Sequence, residues 1–551
     1  MNKMKRYILI ILISIVFIKV YSQEYSPKRE VRAVWITTIG GLDWPHSYAQ
    51  STRSIEKQKL EFINILDKLK KANINTILLQ TRVRATTIYP SQYEPWDGCM
   101  SGFPGTSPGY DPLQFAIEEC HKRGMELHAW VVTMPIGNWN SYGCKKLRQR
   151  YPNMIKRIGN DGFMNPEKSQ TSDYISNMCY EIIHNYDVDG IHLDYIRYPE
   201  TWNIKINKDN ARENITRIVR KVHDKVKSEK PWVKISCSPI GKFSDLSRYW
   251  SHGWNAYDKV CQDAQGWMRD GLMDEVFPMM YFQGDQFFPF AVDWSESNYG
   301  KIVAIGLGIY FMDSNERDWP IDVITREMNV SREFNMGYAF FRSRFFTDNT
   351  KGIYDFTYNQ FNQFPSLVPA MTWEKSLPPS SPSKFDVKYN KDYTSLSWTK
   401  VNDNVDSTYI LYNVYASNTY PVDISKSCNL IASRLQDSHL ILKNAEDMYF
   451  AVTSMDRYGN ESKSSQMLYK TSSFNTKIIK NDGNKLLLPS KGQTLDADYV
   501  LIESLQGNVI GTRKYTGKYA DIKSLRDGFY VLRSLNKKGK THRLGYFIIK
   551  R

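Results

Sequence analysis

The chain has 551 residues, 41% hydrophobic and 24% charged, a composition that excludes a disordered or fibrous protein. Its net charge of +15 is uneven: the first 22 residues carry four cations and no acid, residues 471–551 carry a surplus of +10, and the span between is nearly neutral. Basic surface and aromatic-rich segments are therefore separated, which argues against nucleic acid as a partner.

Lys3, Lys5 and Arg6 precede an apolar run from Tyr7 to Ile18, and Ser22 follows as a small residue before Gln23. This pattern predicts a signal peptide over residues 1–22 and an exported protein. Twelve apolar residues are short for a bilayer, and no Cys follows the run to carry a lipid. Of seven cysteines, Cys99 and Cys144 fall in loop-like segments and are the pair open to a disulfide. Cys120, Cys179, Cys237 and Cys261 sit in helix or strand patterns and read as core. CxxC and HExxH are absent, and the nine histidines show no metal-site spacing. No metal and no cofactor are expected.

Eight short apolar runs follow: Val31–Thr37, Ile74–Gln80, Met125–Thr133, Val188–Asp194, Trp232–Ser238, Glu275–Tyr281, Ile302–Gly308 and Met336–Phe341. Amphipathic helical patterns lie between them, among them Glu56–Ala72 (Leu60, Ile63, Leu66 and Leu69 at three-residue steps), Asp111–Arg123, Tyr174–Tyr186 and Asn210–Lys227. Eight β–α units predict an α/β (β/α)8 TIM barrel over residues 23–375. A doubly wound sheet would typically open on a glycine-rich turn, and GxGxxG is absent after the first strand.

The Pro/Ser-rich linker 376–383 ends that domain. Residues 384–472 read as a small all-β sandwich. Their order of Ser397-Trp398, Tyr412-Asn-Val-Tyr415 and Tyr449-Phe-Ala-Val-Thr-Ser-Met-Asp-Arg-Tyr-Gly-Asn460 resembles a fibronectin type III domain. Residues 478–551 form a second small, basic β domain, with turns at Gly507-Asn508 and Asp527-Gly528.

A barrel places its active site at the carboxyl ends of its strands. In the fourth strand, period-2 alternation turns His192 and Asp194 inward, with Asp194 at the rim and Arg197 and Tyr198 in the loop beyond. Asp189, at the opposite end, reads as structural. The third strand offers His128 and Trp130 on one parity, and the second places Arg82 on the inward parity. Aromatics follow several strands (Trp44, Trp96, Trp139, Trp202, Tyr281, Phe282, Tyr310 and Phe311), flat surfaces suited to pyranose rings. Glycoside hydrolysis needs two carboxyl groups. Asp194 is one. Asp285, Asp313, Glu94, Asp97, Asp263 and Glu200 are candidates for the other, with Asp285 favoured by its place beyond the sixth strand, across the barrel mouth. Arg82, His128, Trp130, His192, Arg197, Tyr198, Tyr281 and Trp44 then read as substrate-binding or supporting groups.

At these residues the chain resembles the glycosyl hydrolase-like 10 family of exported bacterial proteins. The landmarks are Val31-Arg-Ala-Val-Trp-Ile-Thr-Thr38, Asp43-Trp-Pro45, Tyr89-Pro-Ser91, Pro108-Gly-Tyr-Asp-Pro-Leu113, His121-Lys-Arg-Gly124, His128-Ala-Trp130, Asp187–Pro199, Ser236-Cys-Ser-Pro239 and Asp274–Tyr281. The resemblance, over roughly residues 28–370, implies a TIM-barrel glycosidase acting on polysaccharide, cell-wall glycan strands stripped of peptide being the substrate it suggests. Asp194 matches the family's fourth-strand acid and His128 its third-strand histidine. Two stretches depart from the pattern: Val131-Val-Thr-Met-Pro135 replaces an Asn-Pro-Tyr-Arg-like run, and Leu193-Asp-Tyr195 has one acid where many relatives have two. The C-terminal stretches Asp521–Leu532 and Gly545–Arg551 look like the sorting domains of type IX secretion substrates. The +10 surplus of residues 471–551 would also draw the protein to anionic envelope polymers.

The sequence thus predicts an exported glycoside hydrolase with a two-carboxylate mechanism. The alternative is a non-catalytic glycan-binding protein with the same rim and an incomplete acid pair. A purely structural envelope protein accounts for the basic tail and leaves the inward Asp194 and His128 without a role.

Overall fold

The computed structural model describes residues 26–551 apart from 251, 390–392, 403–407, 444–447, 467–477, 489–496, 506, 516–517, 537–538 and 540. The expected signal peptide therefore lies outside the described residues.

Each of the eight apolar runs becomes a strand: β1 (Arg32–Ile36), β2 (Thr76–Arg82), β3 (Glu126–Val132), β4 (Gly190–Asp194), β5 (Lys234–Cys237), β6 (Glu275–Val276), β7 (Ile302–Leu307) and β8 (Gly337–Phe340). They close into a parallel barrel in the order β1-β8-β7-β6-β5-β4-β3-β2. The crossovers carry helices α1 (Thr52–Lys71), α2 (Pro112–Lys122), α3 (Ser169–Asn185), α4 (Lys208–Glu229), α5 (Ala264–Arg269), α6 (Phe288–Glu296) and α7 (Ile321–Glu333), and α8 (Ser343–Thr347) follows the last strand. This is a TIM barrel. Local chemistry starts the helices: Ser51 and Ser54 form a capping box on α1, and Asp111 accepts from the Leu113 and Gln114 amides with Pro112 in the first turn of α2. On α1 the buried face is Phe62, Leu66 and Leu69, while Leu60 stays exposed. Strict three-residue steps drift off a 3.6-residue helix, so the first member of the expected stripe leaves the core. Between β3 and α3 the chain makes an excursion, a three-stranded antiparallel sheet (Pro135–Asn138, Asp161–Met164 and Ile155–Ile158) with helix Tyr142–Arg150. All seven cysteines are free, so the pairing open to Cys99 and Cys144 is not made.

Small antiparallel β-sheets follow the barrel. One three-stranded sheet (Ser383–Tyr389, Tyr393–Thr399, His439–Lys443) faces a four-stranded one (Leu430–Leu435, Leu411–Ser417, Tyr449–Met455, Ser465–Gln466). Trp398, Tyr412, Val414, Phe450 and Val452 fill the core between them. The last segment pairs Val509–Lys514, Tyr499–Glu503, Gly528–Leu535 and Thr541–Ile549 in one sheet, with Lys485–Leu487 against Tyr519–Asp521 in another.

The first of these β units closes the amino-terminal end of the barrel with two arginines. Arg434 reaches Glu126 at 2.9 Å and Asp189 at 2.5 Å, and Arg457 reaches Asp187 at 2.7 Å and Asp189 at 3.3 Å. Lys234 meets Glu126 at 2.9 Å from inside the barrel, and His121 lies 2.9 Å from Asp189. Burial would raise both acids, but Lys234 and Arg434 hold Glu126 down at about 2, and Arg434, His121 and Arg457 hold Asp189 well below the usual range. Asp189 is structural, as its strand position predicts. The contact is close: a Cβ at Gly124 would come within 2.3 Å of the Ser433 carbonyl oxygen. A cavity of about 1230 Å³ also opens at this end, lined by Val31, Ile302, Gly337, Lys426 and Asp527 among others. It faces away from the carboxyl ends of the strands.

Candidate active site

Strand β4 delivers Asp194 to the carboxyl rim, opposite Val132 of β3. The carboxylate is buried and has three donors. The Ser238 hydroxyl donates to Oδ1 at 2.8 Å from just beyond β5, the Tyr195 amide to Oδ1 at 2.8 Å, and the Trp130 indole to Oδ2 at 3.1 Å. Burial raises the carboxyl above the ordinary aspartate value, while Arg197 and these donors pull the other way without cancelling it. Tyr195 adopts a left-handed conformation (φ 52°), which turns its ring over Arg197, whose guanidinium carbon lies 4.0 Å from the ring centroid. Arg197 pairs with Glu200 at 2.6 Å, and its Nε and Nη1 are buried without a partner. Tyr281, Tyr310 and Phe341 make an aromatic wall with ring centroids 5.7–5.9 Å apart. Tyr281 is close enough for Asp194 to help raise its hydroxyl, though burial is the larger cause.

The structure therefore brings together Asp194, Trp130, Arg197 and Tyr281 of the residues expected from sequence. It adds Ser238, Tyr195, Tyr310 and Phe341. Asp285 stands exposed in a short helical turn (Gly284–Gln286) beyond β6 and acts on Tyr249, whose hydroxyl it raises together with burial. The largest influences on Asp194 do not include it.

Five expected site residues lie elsewhere. A register shift between Gln80 and Arg82 in the β2–β3 pairing changes parity, so Arg82 points outward instead of into the barrel. There it forks onto Glu94 (2.6–3.0 Å), which also accepts from the Tyr174 hydroxyl at 3.1 Å. Gln80 takes the inward place and accepts from the Thr38 and Ile39 amides. His128 and His192 do face inward, but below the rim. His192 accepts from the Trp35 indole at 3.2 Å, lies 3.0 Å from Ser236 Oγ, and is kept neutral by burial. His128 lies 3.2 Å from Glu126, over Gly190, where a Cβ would strike its ring at 2.7 Å. Trp44 is buried outside the barrel against Phe62, its indole donating to the Gln58 carbonyl. Tyr198 is buried against Trp202, with Asn214 donating to its hydroxyl at 3.3 Å.

The other candidate acids are likewise engaged. Glu94 belongs to Arg82, Asp97 caps helix Gly98–Ser101, Asp263 caps α5, and Asp313 holds the Asn315 amide. Among the described residues no group of three or more His, Cys, Asp or Glu could hold a metal ion.

The sequence profile of the family described as glycosyl hydrolase-like 10 matches residues 30–211 and 199–313, more than half of the chain. The glycosyl hydrolase YngK of Bacillus subtilis (strain 168) is 28% identical over 485 residues, covering 80% of this chain and 94% of that protein. The glycosyl hydrolase DigH of Escherichia coli (strain K12) is 29% identical over 287 residues, covering 46% of this chain and 65% of that protein. Among solved structures, the glycoside hydrolase domain of PgaB (BpsB) from Bordetella bronchiseptica matches 60% of this chain and 98% of its own, at 11% identity and a TM-score of 0.41.

Proposed function

The chain belongs to the glycosyl hydrolase-like 10 family, and from that premise we propose that it is an exported glycoside hydrolase that cleaves O-glycosidic bonds of a polysaccharide, with Asp194 as its proton donor. The observation that carries this reading is the environment of Asp194. What supports it is a carboxyl at the mouth of a barrel, raised above the ordinary aspartate value by burial and oriented by Ser238, Tyr195 and Trp130 toward a place where a leaving glycosidic oxygen would need a proton. Asp194 protonates that oxygen as the bond to the anomeric carbon breaks. Asp285, solvated on the same rim, takes the proton of the attacking water. The aromatic wall of Tyr281, Tyr310 and Phe341 supplies faces for a sugar ring.

Peptide-free cell-wall glycan is the substrate this proposal favours. Residues 1–22 act as the export signal, the first β unit is fibronectin type III-like, and the basic last domain serves for type IX sorting or envelope association. Assaying Asp194→Asn, Asp285→Asn and Glu200→Gln tests the chemistry. Loss of turnover by at least about a hundredfold in the first two, with Glu200→Gln active, supports the pair. Loss in Glu200→Gln with Asp285→Asn active moves the second role to Glu200. The second reading, a glycan binder without catalysis, is favoured by one observation: none of the three donors on Asp194 brings a second acid with it. Glycan binding without turnover by the wild type would establish it.

A further inference from the structure

The loop that begins at Ser238, on Asp194, continues outward to two tryptophans that nothing in the fold requires. Trp250 is 75% exposed and Trp254 42%, against a background in which Trp35, Trp44, Trp267 and Trp294 are fully buried. Trp250 leans on Tyr249 at 5.9 Å, and Tyr249 stands edge-on to the buried Phe290 at 6.2 Å, so the exposed indole is backed by the core. Polar contacts hold the loop at both ends. Asp245 accepts from the Gly253 amide at 3.2 Å and lies 3.4 Å from His252, and Arg248 pairs with Glu296 at 2.6 Å. Asn255, capping the next helical turn, fixes the exit. Tyr249 in turn feels the Asp285 carboxylate on the neighbouring loop.

We propose that Trp250 and Trp254 form an outer subsite that stacks sugar rings of a long glycan chain on the side of the mouth marked by Asp285, so that the enzyme prefers extended strands to short oligosaccharides. This rests on the glycoside hydrolase reading and deepens it by naming the form of the substrate. Trp250 and Tyr249 present adjoining ring faces at the surface of this loop, with Trp254 exposed four residues on, flat apolar faces of the kind that pack against another ring. Exposed polar residues accompany them along the loop (Asp245, Ser247, Arg248 and His252), while Leu246 is buried. A pyranose offers such a surface an apolar C–H face with hydroxyls at its edge, which polar side chains around an indole can meet.

The test uses the full chain carrying Asp194→Asn, with and without Trp250→Ala plus Trp254→Ala, and size-fractionated, end-labelled polysaccharides that include peptide-free cell-wall glycan strands. With both tryptophans, affinity is expected to rise with chain length. Without them, affinity for long strands falls by at least about tenfold, the scale of removing an aromatic anchor, and the length dependence flattens. The Trp→Phe pair recovers part of it. Thermal unfolding of the variants monitors the fold, which these exposed positions leave intact. Equal length dependence with and without the tryptophans, alongside turnover by the wild type, overturns the subsite and spares the function. Absence of binding to every polysaccharide by both proteins, with no turnover by the wild type, overturns the two together. Loss of binding to anionic lipid vesicles instead of glycan would also contradict the proposal.

Discussion

Ser238 Oγ donates to Asp194 Oδ1 at 2.8 Å from the end of the adjacent strand, so the Asp194 carboxyl is oriented by its neighbour in the barrel as well as by the Tyr195 amide of its own loop. Such a bond favours the ionised form, as does the charge of Arg197, and both oppose the burial that raises the group. Removing either therefore raises the Asp194 pKa further. In Ser238→Ala or Arg197→Met the alkaline limb of kcat/KM moves to higher pH, by about one unit for the loss of one hydrogen bond. A pH–rate profile shows it; an unmoved or acid-shifted limb would mean that Asp194 is not the group titrating there.

Arg434 carries a different expectation. It is the shared counter-charge of Glu126 and Asp189, both buried, and Arg434→Met leaves them without it. The expected cost is about 3–5 kcal/mol, against about 0.5 kcal/mol or less for Arg220→Met, whose pair with Glu213 is exposed. Urea unfolding midpoints of the two variants compare them directly.

Glu275 sets a pH dependence of opposite sign to the usual carboxylate. Burial, aided by Glu126 and Asp274 and offset only in part by Lys234, pushes it up to about 8, and neither of its oxygens has a hydrogen-bond partner. The folded state therefore holds a proton that the unfolded chain releases near 4.5. Its contribution is full below that value and is lost as pH rises through about 8. Glu126 does the reverse, contributing above about 4.5 and losing that contribution as pH falls toward 2. Glu275→Gln should flatten the decline in stability between pH 5 and 9, which denaturation at a series of pH values measures.

These features show what a sequence can carry. The barrel was legible because parallel strands are buried on both faces and read as continuous apolar runs, and amphipathic helices between them leave few topologies. Asp194 was legible for a related reason, since alternation along β4 fixes its face and the end of the run fixes its height. Alternation gives a face but no depth, and so His128 and His192, both inward, are found in lower layers of the barrel, away from the rim. Nor does it reveal a bulge: one irregular residue before Arg82 moved that side chain to the outside, where Glu94 and Tyr174 hold it. Trp44 and Tyr198 lie past the strand ends, where chain direction depends on contacts with α1 and α4 that no local pattern encodes. Exposure is equally invisible in sequence, which is why Trp250 and Trp254 stood out only once the fold was in hand.

Release of new reducing ends from purified cell-wall glycan and a panel of plain polysaccharides, comparing the wild type with Asp194→Asn, tests the central claim most directly. The account predicts products from one substrate class with the wild type and loss of turnover, with binding retained, in the variant. Turnover that survives Asp194→Asn, or no turnover by the wild type on any substrate while both proteins bind glycan, would contradict it.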